Sequence, residues 1–219
     1  MNAKSFRIRF ALPALAAGIL LASPGEARQE EGAPSCHGPG TASPAAERVA
    51  SPRLRVPDLE LLDQDGRTIR FYSDLVRDRV VAMNFIFTTC TTVCPPMGAN
   101  FSRLQDALGE RLGRDVQLVS VSIDPTTDTP QRLKAWGEKF SASDSWSFVT
   151  GPKADVDQVL RQLEVLSPDV KDHGPVVLLV NDRTGVWRRV NGLTPPAKLA
   201  AMLDELLIEE HPNSEEAAR

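Results

Sequence analysis

Val80-Val81-Ala82-Met83-Asn84-Phe85-Ile86-Phe87-Thr88-Thr89-Cys90-Thr91-Thr92-Val93-Cys94-Pro95-Pro96-Met97 is the stretch on which the reading of the chain turns. Val80 to Phe87 is an apolar run with β-branched and aromatic residues, the pattern of a central strand covered on both faces. Beyond Pro95-Pro96, the residues Met97, Phe101, Leu104, Leu108 and Leu112 recur at spacings of four and three, which predicts an amphipathic helix entered through the two prolines. Cys90 and Cys94 lie between strand and helix. On an extended chain their sulfurs would stand about 13 Å apart, at roughly 3.4 Å per residue. Wound into one helical turn they become neighbours. A helix N-terminus offers partial positive charge and free N–H groups, which favour thiolate over thiol. The spacing therefore serves either a disulfide or a shared metal ion.

Outward from this stretch, strands and helices alternate. Val116 to Ile123 reads as a second buried strand, and Thr129-Pro130 as the N-cap and first turn of a helix running through Phe140. Trp146 to Val149 predicts a short strand, Ala154 to Leu163 a helix and Val176 to Val180 another apolar strand. Asp182 to Gly185 turns the chain into Val186 to Val190, and Pro195 to Ile208 closes with a helix. Upstream, Val56 to Phe71 carries the turn signal Asp63-Gln64-Asp65-Gly66 between two strand-like runs, a β-hairpin. The expected class is α/β, a thioredoxin-like fold with an N-terminal β-hairpin, over residues 54–208.

The chain has 219 residues, 42% of them hydrophobic, enough for one domain with a real core. A formal charge of -4 argues against nucleic acid as a partner, because phosphate binding needs a basic face. Three cysteines are too few for a disulfide scaffold. Residues 1–27 read as a cleaved export signal: Lys4, Arg7 and Arg9 precede the apolar run Phe10 to Ala22, and Gly25-Glu26-Ala27 supplies small residues for cleavage. The run is too short to span a bilayer, so an uncleaved anchor is the weaker reading, and no cysteine follows it directly to carry a lipid. The expected location is periplasmic or otherwise extracytoplasmic, where disulfides are permitted. Residues 28–53 read as a flexible lead-in and 209–219 as an acidic tail. The lead-in holds Cys36-His37, read as incidental or as an accessory metal-capturing or intermolecular thiol site.

Two thiolates leave a metal site incomplete. Of the three histidines, His37 lies in the lead-in and His211 in the tail, whereas His173, in Asp172-His173-Gly174-Pro175, immediately precedes an inner strand. In a parallel sheet, loops at one edge bring distant residues together, which makes His173 the best placed third ligand. Asp172 is the neighbour able to orient its imidazole. Asp124 and Asp128 read as organisers of a turn and a helix entry, and Met97 as core. No phosphate-cradling glycine loop, His-Glu-x-x-His helix or Gly-x-Ser-x-Gly turn is present.

The cysteine pair followed by Pro95, the phrase Val121-Ser122-Ile123-Asp124-Pro125 with Asp128-Thr129-Pro130, and Asp172-His173 about eighty residues beyond the cysteines together resemble the Sco/SenC family of thioredoxin-fold copper proteins. The resemblance implies a copper site made by Cys90, Cys94 and His173, used as a metallochaperone for the copper centre of a cytochrome c oxidase subunit. It equally implies a thiol reductant, with Cys90 and Cys94 as its redox pair and a thiol-disulfide partner. A redox or copper sensor is the third reading. Two soft thiolates and an imidazole suit copper, whereas structural zinc sites usually close with four protein ligands. One departure stands out: the family pattern has Pro-Asp after the first cysteine, where this chain has Thr91-Thr92. Pro175 matches the position of the proline that faces the dithiol, as the cis isomer, in thioredoxin-like proteins.

Overall fold

Seven consecutive buried residues, Val80–Ile86, form strand β3 at the centre of a sheet. The structure is a computed structural model and describes residues 55–209. In chain order the elements are β1 (Glu60–Asp63), β2 (Thr68–Arg70), α1 (Phe71–Leu75), β3, α2 (Cys94–Leu108), β4 (Val116–Ser122), α3 (Pro130–Glu138), β5 (Trp146–Thr150), α4 (Lys153–Gln162), β6 (Val176–Asn181), β7 (Val186–Asn191) and α5 (Pro196–Ile208). The sheet order is β2-β1-β5-β4-β3-β6-β7. Strands β3, β4 and β5 run parallel, joined through α2 and α3, while the hairpins β1–β2 and β6–β7 pair antiparallel at the two flanks.

Alternation along β3 sends Val80, Ala82 and Ile86 to a core shared with α2, α3 and α5, and Val81, Met83 and Phe85 to a core shared with α1 and α4. Both faces are covered, which is why the central strands read as unbroken apolar runs. The expected α/β, thioredoxin-like architecture with its N-terminal hairpin is present. Among the described residues no helix is long and apolar enough to cross a membrane. The export signal, the lead-in with Cys36-His37, and His211 lie outside the described residues, as does the tail beyond Glu209.

Several expectations need correcting. The helix after the cysteines ends at Leu108 rather than reaching Leu112, because Gly109 turns left-handed at φ 52° and its N–H closes on the Gln105 carbonyl. Helix α3 stops at Glu138, short of Phe140, whose ring instead packs on Trp136 at a centroid distance of 4.5 Å. The hairpin's second strand ends at Arg70, since Phe71 opens α1; Asp74 accepts the Arg70 N–H, and Asp58 accepts both the N–H and the hydroxyl of Ser73. Strand β6 runs antiparallel to β3, with Asn84 opposite Val177. The N-terminal end of β6 thus lies beside the C-terminal end of β3, so the loop bearing His173 arrives at the cysteine edge by antiparallel pairing rather than by parallel strand ends.

Candidate metal centre

Cys90 occupies the loop between β3 and α2, and Cys94 is the first residue of α2. Val93, at the N-cap, has no side chain able to accept a hydrogen bond from the exposed helix N–H groups. The Cys90 sulfur takes that part: the Cys94 N–H donates to Cys90 Sγ at 3.4 Å. Thr92 Oγ1 lies 3.7 Å from the same sulfur, and the Cys90 N–H donates to the Phe87 carbonyl at 3.1 Å. The loop therefore winds as the four-residue spacing requires, and both cysteines are free thiols, buried to 7% and 1% exposure.

Their acidities diverge. Burial pushes the Cys90 thiol up, but hydrogen bonds from the Cys94 side chain, the Cys94 and Thr92 backbone and the Thr92 hydroxyl outweigh it and bring the pKa down to about 7. Deeper burial drives Cys94 up to about 12, aided by its bond to Cys90 and by the charges of Cys90 and Asp128.

His173 follows the 3-10 turn Val170–Asp172. Its ring is buried at 9% exposure and meets Phe85 edge-on, with centroids 6.1 Å apart. Nε2 is buried without a hydrogen-bond partner, a position that costs free energy unless something occupies it. Burial, then the nearby charge of Arg189, lowers its pKa and keeps the imidazole neutral. The arrangement does not gather all three expected ligands: among the described residues no group of three or more His, Cys, Asp or Glu side chains is close enough to hold an ion. The expected orienting role of Asp172 is corrected as well, since that side chain is exposed and no hydrogen bond ties it to the ring. Met97 is buried, as expected for core, and lies so close to Gly192 that a Cβ there would meet its Cε at 2.9 Å. Every peptide bond among the described residues is trans, including that of Pro175.

The residue that sequence reasoning undervalued is Asp128. Thr129 does cap α3, accepting the Arg132 N–H at 3.3 Å, but Asp128 is fully buried beside the dithiol rather than serving only the helix entry. It accepts the Thr88 N–H at 3.0 Å, the Thr88 hydroxyl at 2.5 Å and the Ser122 hydroxyl at 2.7 Å. Arg132 Nε donates to Thr88 Oγ1 at 3.2 Å, completing that hydroxyl's bonds.

The SCO1/SenC family model matches residues 49–208. The chain belongs to the SCO1/SenC family. A SCO1 protein homolog of Bacillus subtilis is 40% identical over 91 residues, covering 41% of this chain and 45% of the relative. A Stutzerimonas stutzeri protein named for copper binding is 36% identical over 92 residues, 42% of this chain and 44% of the relative. These matches span less than half of each relative's length. Among solved structures, a SCO1/SenC family lipoprotein from Bacillus anthracis superposes with a TM-score of 0.61 at 29% identity, covering 70% of this chain and 95% of that one. BsSco, a member of the Sco family of cytochrome c oxidase assembly proteins, gives 0.59 at 28% identity, over 71% of this chain and 94% of its own. Yeast Sco1 with copper bound shares the fold at a TM-score of 0.61 and 19% identity, over 75% and 98%.

Proposed function

We propose that this SCO1/SenC chain is an extracytoplasmic copper carrier that holds the ion through Cys90, Cys94 and His173 and passes it to a partner, a cytochrome c oxidase subunit. The observation that carries the reading is a pair of free, buried thiols at one sheet edge together with a buried histidine whose Nε2 has no partner. The name of the Stutzerimonas relative and the assembly role of BsSco point the same way.

The donor set fits the cargo, since thiolates are soft ligands and a neutral imidazole completes a copper site. Cys90 contributes a thiolate near neutral pH, and the lowered pKa of His173 leaves its ring nitrogen available. Cys94 holds its proton, so copper uptake releases a proton from that thiol. Because the His173 ring faces Phe85, this reading also requires the Val170–Asp172 turn to shift as the ion enters. The test is titration of the reduced full-length chain with Cu(I) against a chelating competitor, wild type beside His173→Ala. One ion per chain with weaker binding in the variant is expected. No uptake, or equal affinity in the two, overturns the reading.

The split acidity favours a second function as a thiol-disulfide oxidoreductase, with Cys90 attacking a partner and Cys94 resolving the mixed disulfide. Turnover of a disulfide substrate that survives His173→Ala, in a chain without copper affinity, would establish that reading instead.

A further inference from the structure

Asp128 is a fully buried carboxyl that the copper-site reading leaves without a task. Its hydrogen-bond partners are neutral: Thr88 through both N–H and hydroxyl, and Ser122 through its hydroxyl. Burying a carboxyl without a directly bonded cation is costly, and so many bonds to one neighbouring segment mean that it fixes that segment. Thr88 stands two residues before Cys90, where the chain leaves β3 and turns toward α2. Ser122 is the last residue of β4, and its hydroxyl also accepts the Asp124 N–H at 3.1 Å. Arg132 reaches across from α3 to the Thr88 hydroxyl. The end of β4, the entry of α3 and the cysteine loop are thus joined at one buried group.

We propose that Asp128 is a positioning residue for the dithiol, holding Thr88 so that the loop winds tightly enough to place the Cys94 N–H on the Cys90 sulfur. This deepens the copper-carrier reading and rests on it where affinity is concerned. Only a carboxylate oxygen pair accepts all three bonds at once; the Asn amide loses one acceptor and presents a donor to the hydroxyls. Loosening the winding removes the bond that stabilises the reduced form at Cys90, which makes the dithiol easier to oxidise.

The experiment measures two quantities on full-length Asp128→Asn, Thr88→Val and Thr88→Ser. One is Cu(I) affinity by chelator competition, and the other is the Cys90/Cys94 reduction potential in glutathione buffers. Removing the partners that orient metal ligands typically costs about 10- to 100-fold in affinity, and a loss of about tenfold is expected for the first two variants. The dithiol–disulfide equilibrium is expected to move about tenfold toward the disulfide, about 30 mV more reducing. Thr88→Ser, which keeps the hydroxyl, is expected to return both quantities toward wild type. Thr88→Val preserves shape at a half-buried site, so it decides the matter even if Asp128→Asn fails to fold. A Thr88→Val chain at the wild-type potential overturns the proposal. The potential needs no copper, so a wild type that takes up none removes the carrier reading while the clamp is still decided.

Discussion

Cys90 sits in a loop fixed at several points: its N–H on Phe87, the Cys94 N–H on its sulfur, and Thr88 on Asp128 just upstream. His173 belongs to the same sheet edge but is held by one long backbone bond, its N–H to the Val170 carbonyl at 3.4 Å, and by packing against Phe85. Its Nε2 has no partner. In the first region folding has already met the ordering cost of the ligands; in the second, that cost falls at the moment of binding. Under the proposed carrier reading, the pair of sulfur donors stands ready while the third donor joins on binding, which suits an ion that must be released as well as captured.

Removing a sulfur is the most severe way to break this contrast. Cys94→Ser is expected to lower Cu(I) affinity beyond the roughly 100-fold that changes around a site's ligands reach, whereas His173→Ala should cost less, because its donor is not pre-placed. Chelator competition on the two variants checks the order. A His173→Ala loss equal to or larger than that of Cys94→Ser would show the histidine to be as much a part of the standing site as the thiols.

The two sulfurs also differ from each other, and pH exposes it. Cys90 loses its proton as pH rises through about 7, while Cys94 keeps its own until about 12. Alkylation of the reduced chain carrying Cys36→Ser, which removes the third thiol, should therefore label Cys90 and not Cys94 near neutrality, with a rate that falls about fivefold between pH 7 and pH 6 as the thiolate fraction drops from about one half to about one tenth. Mass spectrometry of the labelled chain reads both rate and site. Equal labelling of the two cysteines at pH 7 would remove the basis for assigning attack to one and resolution to the other.

How much of this was legible in sequence depended on whether the signal was local. The β3 run, the proline-led start of α2 and the Thr129 cap involve residues within a few positions of one another, and the structure has each of them. Strand direction is not local: Val176–Asn181 reads as an apolar run whether it pairs parallel or antiparallel, and it is the antiparallel pairing with β3 that brings His173 to the cysteine edge. Asp128 was read as a turn residue because Asp-Thr-Pro is a helix-entry signature, and nothing local tells that its carboxyl reaches Thr88, forty positions away. Chemistry and position single out His173 as the expected third ligand, but the packing of its ring on Phe85 depends on tertiary contacts that spacing does not encode.

Position 92 offers a finer test of the fixed region. The family pattern carries an aspartate there, and this chain has a threonine whose hydroxyl lies 3.7 Å from the Cys90 sulfur. Thr92→Asp adds a negative charge beside a thiolate, which raises the thiol pKa. Thr92 is exposed, so water screens the interaction to roughly 1 kcal/mol at 4 Å. The midpoint of Cys90 alkylation is then expected to move up by less than about one pH unit. A downward shift would show that the substitution reorganises the loop and gives the Cys90 sulfur new donors.

The smallest expected effect separates the two aspartates. Asp172 adjoins His173 in sequence, yet its side chain is exposed and has no bond to the ring, whereas Asp128 is remote in sequence and buried against the cysteine loop. Asp172→Ala should leave Cu(I) affinity within about twofold of wild type, since an exposed carboxylate contributes little through screened solvent. A loss near the 10-fold typical of ligand-orienting partners would mean that the Val170–Asp172 turn rearranges on binding until Asp172 does hold the imidazole. The ordering cost at His173 would then include a hydrogen bond made only in the loaded form, and the difference between the fixed dithiol and its recruited third donor would be larger than the present geometry shows.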